Sequence, residues 1–131
     1  MIVRPYDHAQ DYPYIQQWSV AHNPEDTDPA GVLSPFGGVV EDDDGPLLAG
    51  FAYLAKGCEV CFFDRVVGRP GSDPRQIREA GKYLLAFLRN LAVANGYSIA
   101  YAHIVRNGMV RELQGLGWTL AGEHKLMTKE L

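Results

Sequence analysis

Ile77, Gly81, Leu84, Leu88 and Leu91 recur at steps of three and four residues, the period of a helix that buries one face. No other stretch constrains the chain as strongly. Asp73 can cap this helix, Pro74 fits its first position and Gly96 can end it. The segments on either side read as strands, CEVCFFDRVV (58–67) before it and YSIAYAHIV (97–105) after it. Two neighbouring strands joined through a helix run parallel, since a tight turn can join only antiparallel ones.

The remaining segments add strands of the other kind. IVRP (2–5) reads as a first strand. HAQDYPYIQQWSVAH (8–22) reads as a helix with Ile15 and Trp18 on one face, Asp7 or Asp11 as cap and Pro13 in its first turn. Residues 23–37 form a long loop rich in Pro, Gly and Asp, and long loops often carry function. GVVE (38–41) and LLAGFAYLA (47–55) make a hairpin around the acidic turn EDDDG. RNGMVRELQGLGW (106–118) reads as a short helix ending at Gly115 or Gly117, and TLAGEHKLMTKEL (119–131) as a final hairpin or strand pair. The sum is one domain over residues 1–131 of mixed α/β (α+β) class, with a mostly antiparallel sheet and one central parallel pair.

Composition excludes several partners. The net charge of −4 argues against a nucleic-acid binder. No apolar run reaches membrane-span length and MIVRPYDHAQ is no signal peptide, so the expectation is a cytoplasmic protein with no membrane partner. Cys58 and Cys61 in CEVC would point to opposite faces of a strand, and no second ligand pair exists. They read as reduced core cysteines, with no metal site.

Four stretches carry a resemblance: IVRPYDHAQDYPYIQQW, GGVVEDDDGPLLAGFAYL, ANGYSIAYAHIV and RELQGLGW, the last closing in Gly117-Trp118. In this order and spacing the chain resembles the GNAT superfamily of acyl-CoA-dependent N-acetyltransferases over nearly its whole length. The resemblance implies a central parallel strand pair that splays, acetyl-CoA as cosubstrate, and a small-molecule or peptide amine as acceptor. It implies that the arm of the cofactor lies against the backbone of Val66 and Val67. The family's pyrophosphate fingerprint, Q/R-x-x-G-x-G/A, is matched here by Gln76-x-x-Glu79-x-Gly81.

Glu79 adds a side chain and a charge where the family has bare backbone. A like charge at about 4 Å costs roughly 1 kcal/mol in water and about 4 at an effective dielectric near 20. Two helix starts compete. In one, Gln76 and Gly81 remain phosphate-binding positions. In the other, Asp73 caps, Gln76 reaches back to it, and any pyrophosphate rests on Gly68, Arg69, Gly71 and Ser72 with Arg69 as counter-charge. Pro74 favours the second start, with Glu79 facing solvent near Arg75 or Arg78. For the general base the resemblance points to Glu59. His103 is the other candidate, because an imidazole titrates near neutral pH. Leu113 stands where the family has a Tyr acid. Two functions follow: an N-acetyltransferase whose acceptor site is shaped by loop 23–37, or a catalytically inactive GNAT-fold binding or structural module, a type some phage-encoded relatives resemble. The sequence leaves a homodimer open.

Overall fold

Five strands build one sheet in chain order in the computed structural model, which describes residues 1–25, 30–104, 107–129 and 131. They are β1 (Ile2–Pro5), β2 (Gly37–Asp42), β3 (Gly45–Leu54), β4 (Val60–Gly68) and β5 (Ile99–Ala102). β1 to β4 pair antiparallel, and β4 pairs β5 in parallel. Helix α1 (His8–His22) follows β1, α2 (Pro74–Ala94) links the parallel pair, and α3 (Asn107–Gly115) follows β5. A single 3₁₀ turn (Ala30–Val32) lies within the long loop.

The cap of α2 is Asp73, whose carboxylate accepts the Arg75 N–H at 2.9 Å, and Pro74 takes the first helical position. Half of the expected capping box is made: among the described residues no bond runs back from Gln76 to the cap. The helix stops at Asn95, and Gly96 (φ +89°) takes the left-handed turn that follows. Leu84 and Leu88 pack into a cluster with Val40, Leu48, Ala52, Cys61 and Phe63. Gly50 lets the helix sit this close. A Cβ there would meet Leu84 Cδ2 at 2.8 Å and Val66 Cγ2 at 3.1 Å.

The other sheet face packs on α1 through Tyr6, Ile15, Val39, Ala49 and Phe51. Asp7 caps α1. Asp11, the other sequence candidate, is instead fully buried. It accepts both Arg4 Nη groups (2.8 and 2.7 Å), the Tyr14 hydroxyl and the Asp7 N–H (2.8 Å). Burial pushes its carboxyl up, but the hydrogen bonds from Arg4 and Tyr14 outweigh burial and hold it below the usual carboxylate range. Arg4 also pairs with Glu41, so one side chain ties β1, β2 and α1 together. Pro13 lies inside α1 rather than in its first turn, where its missing N–H removes one helical bond.

The C-terminal hairpin expected from the sequence is not formed. Residues 119–129 carry no strand, and Leu120, Leu126 and Met127 are exposed. Gly117 (φ +93°) ends α3 and brings Trp118 back, its N–H on Leu113 O (3.0 Å) and its ring edge-on to Phe63. Beyond Trp118, Gly122, Glu123, His124 and Lys125 interrupt any apolar alternation. The parallel pair therefore lies at one end of the described sheet, with β5 as its edge.

Candidate functional site

β4 outruns its parallel partner. The pairing starts at Val60↔Ile99 and ends at Phe63↔Ala102, while β4 continues to Gly68. A bulge begins where the pairing stops: Phe51 faces Asp64 and Ala49 faces Val67, so Arg65 and Val66 stand against Gly50 alone. Arg65 absorbs the extra residue with φ 58°. At this fork the Asp64 carboxylate accepts the Arg65 N–H (2.7 Å) and lies 3.1 Å from His103 Nδ1. His103 follows β5 directly, is half exposed, and its ring lies nearly parallel to Phe62 at 6.5 Å.

Past the fork, the end of β4 meets the start of α2. The Arg69 N–H donates to Leu47 O (2.8 Å) and completes the ladder with β3, and Gly68 O lies 2.8 Å from Nε2 of His22, at the end of α1. Gly68 allows a close approach, since a Cβ there would sit 2.9 Å from Ile77 Cδ1. Gly71 takes φ +75° and turns the loop into the cap. The Ser72 hydroxyl is buried with no partner among the described residues. The N–H groups of Gly71 and Gln76 likewise find no protein acceptor there. Such a loop before a helix start suits an anion.

Several sequence expectations change here. Arg69 does not face the loop as a counter-charge. Its guanidinium bonds Asp42 (2.8 and 3.3 Å) and Pro46 O (3.1 Å) in the β2–β3 hairpin, and holds the Asp42 carboxyl below its ordinary range. Arg75, exposed one residue into the helix, has no ion-pair partner among the described residues. Gln76 and Gly81 lie within α2, and Gly81 is too deep in the helix to offer a free N–H. Glu79 is exposed, as expected, but pairs with neither arginine: Arg78 bonds Glu112 of α3. Leu113 is buried and apolar, so it supplies no acid.

Glu59 is not brought to His103. It precedes β4 at the end away from the fork, exposed, its backbone and side-chain oxygens accepting from Ser98. The five residues to Asp64 span about 17 Å of strand. Cys58 is exposed, outside the strand, and Cys61 is buried, where burial raises its thiol pKa; both are free. Sequence reasoning missed Asp64 and His22. Asp64 was readable as an acid on a strand, but its pairing with His103 depends on a register that appears only in three dimensions. Val105, the last residue of the expected strand, Arg106, the first of the expected helix 106–118, and residues 26–29 of the long loop lie outside the described residues.

No family model matches the sequence, and no curated protein matches it. Solved structures do match the fold. TTHA1254 from Thermus thermophilus superposes with a TM-score of 0.65 at 16% identity, over 100% of this chain and 98% of that one. AAC(6')-Iy, bound to a bisubstrate analogue, CoA-S-monomethyl-acetylneamine, superposes at 0.69 and 14% identity over 99% and 98%. N-acetylglutamate synthase from Neisseria gonorrhoeae, complexed with coenzyme A and N-acetyl-glutamate, gives 0.62 at 13% identity, over 86% of this chain and 27% of that one. The fold is thus that of the GNAT acetyltransferases, and the resemblance read from the sequence holds at that level. Among the described residues no helix is long and apolar enough to cross a membrane.

Proposed function

We propose that the chain is a diverged GNAT N-acyltransferase that moves an acetyl group from acetyl-CoA to an amine, with His103 as general base and Asp64 positioning it. The Asp64–His103 pair at the fork carries this reading. With the Nδ1–H donated to Asp64, the Nε2 lone pair is left to take a proton from the acceptor. An alkylamine with a pKa near 10.4 is neutral in about one molecule in 2,500 at pH 7, and a positioned base contributes roughly 10²–10⁴-fold. Glu59 lies too far along β4 to share this work.

A bound acyl thioester supplies an activated carbonyl and a thiolate leaving group. Thiols have pKa values of about 8.5, so departure is feasible without an acid at Leu113. The backbone at Val66 and Val67, past the fork, suits the pantetheine arm, and Gly68, Gly71 and Ser72 suit the pyrophosphate, with the exposed Arg75 following in the first turn of α2. Against this stand the Asp73 carboxylate at the cap and the commitment of Arg69 to Asp42. Binding is therefore expected to be weak. The same two observations, with Leu113 buried, favour the second reading, a GNAT-fold module without catalysis.

Thermal melting with CoA separates the two. A ligand at a hundred times its Kd adds about 2.7 kcal/mol, roughly 10 °C for a chain of this size. Ser72→Ala should reduce that shift. His103→Ala should leave it unchanged while slowing acetyl transfer about a hundredfold or more. No shift at millimolar CoA would decide for the module. Brisk turnover indifferent to His103→Ala would remove His103 from the chemistry.

A further inference from the structure

The face of the sheet opposite α2 carries a row of three aromatic side chains on three adjacent strands. Tyr53 of β3 pairs with Phe62 of β4, and Phe62 pairs with Tyr101 of β5. The Phe62 and Tyr101 rings are 5.6 Å apart. Where α1 covers the same face, Phe51 is fully buried; at the other end Tyr101 is 48% exposed. One strand step beyond Phe62 and Tyr101 stand Asp64 and His103. At the β3 end, Tyr53 donates to Val32 O (2.7 Å) and lines a shallow hollow of about 320 Å³ with Val32, Leu33, Ser34 and Phe36. The row is open to solvent at Tyr101, runs beside the Asp64–His103 pair and reaches a shallow hollow at Tyr53.

From this arrangement we infer that the row is the acceptor site, and that the acceptor is a small primary ammonium on an aromatic or flat apolar body. The acceptor role rests on the acyl-transfer reading; the binding claim does not. Ring faces attract a cation and stack a flat body. The Asp64 carboxylate makes two bonds, to the Arg65 N–H and to His103, and a carboxylate can accept about four. It therefore has capacity left for an ammonium. The placement sets the nitrogen beside the group that would deprotonate it, with the body extending along Phe62 towards Tyr53. Charge selects for the cation and against a carboxylate-bearing analogue, since Asp64 repels the latter.

The test uses 2-phenylethylamine, n-propylamine and 2-phenylethanol, titrated into the whole chain by NMR without CoA. The aromatic amine is expected to bind, with the alcohol at least about tenfold weaker for want of the charged contact. Asp64→Asn should abolish that difference. Phe62→Leu and Tyr101→Leu keep apolar bulk on the strands and should each weaken the amine about two- to fivefold. Equal binding of amine and alcohol, equal binding of the two amines, or indifference to both Leu variants would overturn the assignment. So would a dimer lost on Tyr101→Leu, which would mean that a second copy covers the row. Amine binding that persists in a protein showing no CoA shift would sustain this site and remove the acyl-transfer reading instead.

Discussion

Asp11, in α1, is fully buried and its oxygens are taken up by Arg4, Tyr14 and the Asp7 backbone, whereas Asp64, on β4 of the sheet that α1 packs against, keeps 36% of its side chain in water. Both are acids that bond a side chain on a different element. The first has its partners close around it and ties three elements together. The second is oriented by a backbone N–H and an imidazole, with room left for another group. A buried, fully bonded acid is costly to disturb and has little capacity for a ligand. A partly bonded acid at a strand fork contributes little to stability and can act on something that arrives from solution. The contrast sets an acid that holds elements together at α1 apart from one at β4 that is left able to bind.

The sharpest way to break the contrast is to remove each acid in turn. Asp11→Ala should destabilise the fold by about 3–5 kcal/mol, because it leaves Arg4 and the Tyr14 hydroxyl without their partner in a buried site. Asp64→Ala, at a half-exposed pair, should cost no more than about 1 kcal/mol, while amine binding falls. Urea unfolding of both variants checks this, and comparable losses would erase the distinction. Acid should act in the same sense. The folded Asp11 pKa lies below its unfolded value, so its contribution is present above the unfolded value, near 4, and lost as pH falls through the folded one. Asp11→Asn should flatten that acid limb, and Asp64→Asn should not.

Glycines give a middle-sized effect. Gly50→Ala puts a Cβ 2.8 Å from Leu84 Cδ2 and should cost about 1–3 kcal/mol through overpacking. Gly81→Ala meets nothing within 4 Å inside α2 and should add about 0.5–1 kcal/mol. Because Gly81 offers no free N–H, the stabilised variant should keep whatever CoA affinity the protein has. A loss of affinity there would return the phosphate site to the fingerprint positions. The smallest stability change belongs to Ser72→Ala, within about 0.5 kcal/mol since the hydroxyl has no protein partner to lose. Its larger effect should be on the CoA-induced melting shift.

Local signals were the legible ones. Asp73 and Pro74 announce the start of α2, and its apolar period announces the buried face. The helix between two apolar runs announces the parallel pair. What the sequence could not reveal depends on partners distant along the chain. Arg69 reads as a free cation in a glycine loop until the β2–β3 hairpin brings Asp42 to it. Glu59 and Asp64 are two acids near one strand, and only register shows which one reaches His103. Asp11 has the right spacing for a helix start, yet Arg4 draws it inward. The tail reads as strands because Leu126 and Met127 are apolar, but strand-like composition supplies no partner.

The bulge at Arg65 has a consequence for how β4 encodes its two faces. Before it, odd-numbered residues look towards α2: Cys61 and Phe63 belong to that cluster. After it the parity reverses. Val66 stands beside Gly50 and Leu84, Gly68 lies under Ile77, and Val67 joins the cluster beneath α1. The strand is thus written in two reading frames, and the frame changes where the parallel pairing ends. Deleting Arg65 would merge the frames and still leave Val66, Val67 and Gly68 in their layers, but it would remove the bulge that follows Asp64 where the parallel pairing ends. The extra residue thus serves the fork and not the layers, which a regular strand without it would fill in the same way.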